Sequence, residues 1–98
     1  MVSEYWLGRE DGLNYNRLKS LILRLISEHG LMDANAVLAE LASSGIRADV
    51  HAVRMALMRY HRLGLLKRER TGGMFRYSLS DRGIARLSWL EHQNGKSE

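Results

Sequence analysis

The stretch from Ala48 to Ser80 restricts the fold more than any other part of the chain. Val50, Val53, Leu57 and Tyr60 recur at the spacing that gathers side chains on one side of a 3.6-residue helix. Asp49 suits the N-cap, because its carboxylate can accept the free backbone N–H groups of the first turn and oppose the positive end of the helix dipole. Gly64 closes the helix. Two short strands follow, Leu65 to Arg70 and a run in which Phe75, Tyr77 and Leu79 alternate with Arg76 and Ser78, the period-2 pattern of a strand with one buried face. Thr71-Gly72-Gly73 joins them as a hairpin turn.

The helix has a second face. At about 100° per residue, His51, Met55, Met58, Arg59 and Arg62 lie opposite the apolar stripe, with Arg54 on the flank. No carboxylate falls between Asp49 and Glu69. From Arg47 to Arg76 there are eight Lys or Arg against two carboxylates, a local charge of +6 in a chain whose net charge is +4. The rest of the chain is therefore slightly acidic, and the basic segment favours a polyanionic partner.

The remaining elements are helical. Asn14 or Asn16 can cap a first helix, with Leu18, Leu21, Ile22 and Leu25 as its core stripe and Gly30 as a left-handed residue beyond its end. Leu23 and Ile26 lie off that stripe, as a second contact surface or as scattered exposed apolar residues. Leu31-Met32 is placed to add one residue pair to the later hairpin as a third strand. Asp33 caps a second helix through Val37, Leu38 and Leu41, which stops at Ser43-Ser44-Gly45. Gly45 to Ala48 is a tight turn with Ile46 to bury. Ser80 caps a last helix, Asp81 to about His92, in which Ile84 and Leu87 point inward while Trp89 and Leu90 lie on other faces.

Residues 1–13 read as an N-terminal arm whose Tyr5 and Trp6 dock on the domain or on a second copy, residues 14–92 as the domain and residues 93–98 as a flexible tail. A chain of 98 residues can bury roughly 60 to 65% of the surface its unfolded form exposes, enough to fold without a metal or disulfide. It has no cysteine, which excludes disulfides, thiolate chemistry and cysteine zinc sites and agrees with a reducing cytoplasm. The apolar runs fall far short of the ~20 residues that cross a bilayer, so the expectation is a soluble cytoplasmic protein. His29, His51, His61 and His92 show no metal-ligand spacing, so neither a metal nor another cofactor is expected. There is no nucleophile with a nearby base, no pair of carboxylates on one face and no cofactor fingerprint. An enzyme is not expected.

Two segments carry a family resemblance. Val53, Leu57, Tyr60 and Leu63-Gly64-Leu65-Leu66 resemble the close of the recognition helix in small bacterial and archaeal regulators of the MarR and PadR type. Tyr77-Ser78-Leu79-Ser80-Asp81-Arg82-Gly83 is similar to the segment that leads those proteins into a carboxy-terminal helix. The resemblance covers about residues 14 to 92 and implies an α+β fold, the winged helix-turn-helix: a three-helix core, a short β-hairpin wing and a C-terminal helix.

It also implies a sequence-specific regulator of transcription that binds double-stranded DNA as a homodimer. The helix 49–63 would enter the major groove, and the wing 67–76 would lie on the backbone or in the minor groove. By position, His51, Ala52, Arg54, Met55 and Arg59 would read bases, since Arg can bond guanine bidentately and Ala or Met can touch a thymine methyl. Arg47, Arg62, Lys67, Arg68, Arg70, Thr71, Gly72 and Arg76 would hold phosphates or build the wing. Trp6, Trp89 and Leu90 are the expected dimer contacts, the alternative for Trp6 being to pack over Trp89 within one chain. Met55 and Met58 also suit a protein interface, so the competing reading is a winged-helix interaction or assembly module without specific DNA binding. Binding of double-stranded RNA or nonspecific coating of DNA would keep the charge and lose the sequence dependence. The sequence identifies no small-molecule effector.

Overall fold

A computed structural model describes the backbone of residues 5–6 and 15–96 and the side chains of residues 17–92. Its elements run β1 (Tyr5–Trp6), α1 (Tyr15–His29), α2 (Ala34–Ser43), β2 (Ile46–Arg47), α3 (Val50–Arg62), β3 (Leu66–Thr71), β4 (Met74–Leu79) and α4 (Asp81–Lys96). The helix, helix, turn, helix, hairpin, helix order is the expected one. The chain departs from it mainly in which faces its outer helices bury.

The cap residues act as their chemistry requires. Asp33 accepts from the Ala36 N–H and Asp49 from the Ala52 N–H, both at 2.8 Å, and Ser80 accepts from the Gly83 N–H at 3.0 Å. Asn16 does not serve as a cap: α1 is already under way at Tyr15, so Asn16 lies within it. The other candidate, Asn14, lies outside the described residues.

β3 and β4 form an antiparallel hairpin with Leu66 opposite Leu79 and Thr71 opposite Met74. Its two-residue turn is Gly72-Gly73, with φ of +58° and +82°. Two successive positive φ values give the turn whose twist matches the strands, a conformation that side chains other than Gly and Asn resist. Thr71 belongs to the strand. The third strand is real but minimal: Met32 and Tyr77 exchange both backbone bonds, at 3.0 and 2.8 Å. At the other edge β1 lies parallel to β2, Tyr5 beside Ile46 and Trp6 beside Arg47, so the backbone of these two residues docks on the domain.

The core draws on every helix, with Leu18, Ile22, Leu23 and Ile26 of α1 meeting Val37, Leu41, Val53, Leu57, Tyr60, Tyr77, Leu87 and Leu90. Leu23 and Ile26, expected off the stripe, are fully buried, whereas Leu21 and Leu25 are only partly so. The reason is that α1 packs on α2, α4 and β4 at once. Its buried arc spans about 200° of the helix surface, wider than the single stripe of a helix that meets one neighbour. Lys19 falls inside this arc, its ammonium 5.6 Å from the centre of the Tyr60 ring. On the outer side Arg24 of α1 pairs with Glu91 of α4 at 2.6 Å.

α4 also corrects the expectation. Its inner line is Gly83, Leu87 and Leu90, which leaves Ile84 56% exposed and Leu90 only 1%. A Cβ on Gly83 would stand 2.0 Å from the Leu65 carbonyl oxygen, so a hydrogen is all that fits where α4 crosses the end of α3. That contact sets the phase of the whole helix. α4 also continues to Lys96, so residues 93–96, expected in the tail, are helical.

Candidate nucleic-acid interface

The α3 helix ends in a closed junction. Gly64, at φ +81°, donates to the His61 carbonyl and Leu65 donates to the Tyr60 carbonyl, both at 2.9 Å, the paired bonds that finish a helix on a left-handed glycine. The next carbonyls are taken by the start of α4. Arg82 donates to the Leu63 oxygen at 3.3 Å, the Ser80 hydroxyl to Gly64 at 2.5 Å and the Ser80 N–H to Leu65 at 3.0 Å. The two segments that carry the family resemblance are therefore one structure, in which the second clamps the end of the first.

So anchored, α3 presents a face built by its own periodicity. Val53, Ala56, Leu57 and Tyr60 are buried, and His51, Arg54, Met55, Arg59 and Arg62 are exposed or partly so, with Ala52 and Met58 half-buried. With 13 residues α3 is about 20 Å long, a rod of the size that a major groove about 12 Å wide admits. Arg54 and Met58, one turn apart, face the hairpin. They line a cleft of about 240 Å³ with Asp33, Ala34 and Asn35 of the α2 start and Gly73, Met74, Phe75 and Tyr77 of the hairpin.

The hairpin sorts its side chains by register. One face carries the pairs Leu66–Leu79, Arg68–Tyr77 and Arg70–Phe75, and the other carries Lys67–Ser78, Glu69–Arg76 and Thr71–Met74. Leu66 and Tyr77 enter the core, but Phe75, expected to be buried with Tyr77 and Leu79, is 41% exposed. It lines the open cleft instead of entering the core. Its ring is covered by cations instead, with the Arg68 guanidinium 4.1 Å and the Arg70 guanidinium 5.4 Å from the ring centre.

Among the described residues no carboxylate lies within ion-pair distance of Arg54, Arg62, Lys67, Arg68, Arg70 or Arg76. Without such a pair these six cations give the surface of α3 and the hairpin an excess of positive charge. The structure thus places Arg54 in the cleft and Arg68 and Arg70 against the Phe75 ring that lines it, Lys67 and Arg76 on the far face of the hairpin, and Arg47 on β2 just before the α3 cap. Sequence reasoning missed Phe75 as part of this surface. Its neighbours Arg68 and Arg70 were the available signal, since an aromatic flanked across strands by cations is stabilised without burial.

The expected dimer residues separate. Trp89 is 50% exposed, with the Arg86 guanidinium 5.6 Å from its ring centre, whereas Leu90 is consumed by the chain's own core and has no surface to offer. The Trp6 side chain lies outside the described residues. Ile84, on the same helix as Trp89, is the large exposed apolar side chain that hydrophobic patterning alone turns inward.

No protein-family model matches the sequence, and no curated protein matches it. Solved structures are similar in fold. A PadR family transcriptional regulator from Eggerthella lenta DSM 2243 superposes with a TM-score of 0.68 at 25% identity, over 80% of this chain and 73% of that one. The YusO protein from Bacillus subtilis gives 0.66 at 16% identity over 76% of this chain, which spans about half (51%) of that protein. The AntR antimony-specific transcriptional repressor gives 0.58 at 21% identity over 87% of this chain and 73% of that one. The chain has the α+β winged-helix fold of PadR-family and related regulators, and the expected resemblance holds at that level. No helix among the described residues is long and apolar enough to cross a membrane.

Proposed function

We propose that this protein is a DNA-binding regulator of transcription, a binder and not an enzyme, acting in the cytoplasm as a homodimer on double-stranded DNA. The observation that carries the reading is the joint surface of α3 and the wing. Two elements of the right size for adjacent grooves project cations, of which Arg54, Arg62, Lys67, Arg68, Arg70 and Arg76 have no carboxylate within ion-pair distance among the described residues. α3 lies in the major groove, where His51, Ala52, Met55 and Arg59 meet base edges. The wing follows the backbone into the minor groove. Arg54, assigned to bases by position, stands beside the wing, where the strand between the two grooves passes, so its contact is shared between a base and that strand's phosphates. Arg47, Arg62, Lys67, Arg68, Arg70 and Arg76 hold phosphates, with Thr71 and Gly72 shaping the wing tip.

Two copies joined through α4, with Trp89 at the contact, would present two α3 helices to half-sites about one helical turn apart. The three structural neighbours, two of them described as transcriptional regulators or repressors, support this reading.

The assigned roles are tested by selecting preferred duplexes from a random pool with single variants. His51→Ala and Met55→Ala are expected to change which sequences are enriched. Arg68→Ala and Arg70→Ala are expected to weaken binding to all sequences alike and to flatten the salt dependence. A uniform loss from all four variants would remove the distinction between reading and holding.

The second reading, an assembly module, is favoured by one observation: α3 and the wing expose the large apolar side chains of Met55, Met74 and Phe75. It predicts that a protein surface, not a duplex, occupies the cleft. Tight binding of duplex DNA that competes with no protein would exclude it.

A further inference from the structure

Three of the five methionines stand on the surface formed by α3 and the wing. Met55 is 41% exposed on α3, Met74 is 40% exposed at the wing tip, and Met58 is half-buried, lining the cleft together with Met74 and Arg54. A fourth, Met32, is 3% exposed and bonded by its backbone to Tyr77. The chain has no cysteine to intercept an oxidant. A thioether in solvent reacts with peroxides at a rate set by its exposure, and the product is both polar and reversible.

We infer that the α3–wing surface is a methionine oxidation site at which hydrogen peroxide, acting on Met55, Met74 and Met58, weakens binding of DNA. The inference rests on the reading under Proposed function. In the reaction a sulfur lone pair attacks one peroxide oxygen, an S–O bond forms and the O–O bond breaks. The leaving hydroxide takes up the proton of the transferred oxygen and departs as water. Sulfur loses two electrons and the peroxide gains them, so no other reactant is needed.

The consequence follows from what the sulfoxide oxygen must do at an interface. A methionine sulfur against a thymine methyl or a deoxyribose gives up little hydration, whereas a sulfoxide oxygen is a strong acceptor that is costly to dehydrate without a donor. Arg54 lines the same cleft, and its guanidinium is a hydrogen-bond donor. A sulfoxide on Met58 or Met74 that captures it takes away a cation meant for the DNA. The chain carries its own control. Met32, sealed in the core, is chemically identical and protected.

The test treats the full chain with hydrogen peroxide, maps sulfoxides by peptide mass and measures affinity for a duplex selected by the untreated protein. The expected order is Met55 and Met74 first, Met58 later and Met32 unmodified, with the unfolding midpoint unchanged. Affinity should fall about tenfold, the scale of one polar atom left unpaired at an interface, and return after treatment with methionine sulfoxide reductases.

A chain carrying Met55→Leu, Met58→Leu and Met74→Leu together keeps apolar volume at each position. Whatever its starting affinity, peroxide should not change it. The inference is overturned if affinity holds while Met55 and Met74 are oxidised, or if the triple variant loses affinity to the same degree. Binding before treatment and no loss after it sinks this inference alone. A failure to bind any duplex before treatment sinks the DNA-binding reading, and the switch with it.

Discussion

The junction between α3 and α4 and the tip of the wing lie at opposite ends of β3 and β4, and they are held by opposite physics. At the junction the carbonyls of Leu63, Gly64 and Leu65 each have a donor from Ser80 or Arg82, and Gly83 is pressed against backbone. At the tip Arg68 and Arg70 lean on an exposed ring, and the turn has open space around both glycines. The first arrangement admits almost no substitution. The second fixes only the turn and the charge. The difference separates what keeps α3 in place from what α3 and the wing can touch, and damage at each region should read out differently.

The largest effect is expected from Gly83→Ala. The added methyl meets the Leu65 oxygen at 2.0 Å, and only a shift of α4 can relieve it. The cost should be about 2–4 kcal/mol in urea unfolding, more than most single overpacking changes because the obstacle is backbone. If Gly83→Ala left the unfolding midpoint in place, the junction would not be what anchors α3. Next comes the double change Arg68→Ala with Arg70→Ala, which should leave that midpoint where it is. It should lower the log–log salt slope of duplex binding by about 0.9 for each phosphate no longer neutralised. A fall in stability with an unchanged slope would reverse the assignment of the two regions.

Ser80→Ala removes the α4 cap and the bond to the Gly64 carbonyl together, so about 1–2 kcal/mol of stability should go, with binding falling only as the folded fraction falls. The smallest effect is expected from Phe75→Leu. The side chain is too exposed for its removal to matter to folding, but Arg68 and Arg70 lose the ring that holds them. Duplex affinity should drop a few-fold, consistent with about 0.5–1 kcal/mol for an exposed cation–ring interaction, and Phe75→Tyr should restore it. Equal losses from Leu and Tyr would mean that the ring orders nothing.

What is legible in the sequence follows the same division. Caps and left-handed glycines are local chemistry, so Asp33, Asp49, Ser80, Gly30 and Gly64 can be placed without knowing what packs where. Even the one-residue third strand at Met32 is readable, since it requires only a short link beside the hairpin. Faces that depend on several neighbours are not. A single stripe cannot show that α1 meets α2, α4 and β4 together, which is why periodicity misplaces Leu23 and Ile26. The inner line of α4 is set by Gly83, a residue with no side chain to enter a hydrophobic pattern, so Ile84 and Leu90 exchange places. Phe75 follows the alternation of a strand past the point where the core ends. At the candidate interface, the exposed positions on α3 follow from helical period. Which of them share a cleft with the wing does not, because that depends on how far the hairpin leans toward the start of α2.

The central claim is that α3 and the wing together form a surface for duplex DNA. It is tested most directly by binding the untreated chain to a random duplex pool at two salt concentrations, with its mass in solution recorded alongside. Enrichment of a palindromic motif, a dimer mass and a log–log slope that steepens by about 0.9 per neutralised phosphate are expected. Weak binding without enrichment, at a monomer mass, would contradict the account and leave the cleft to a protein partner.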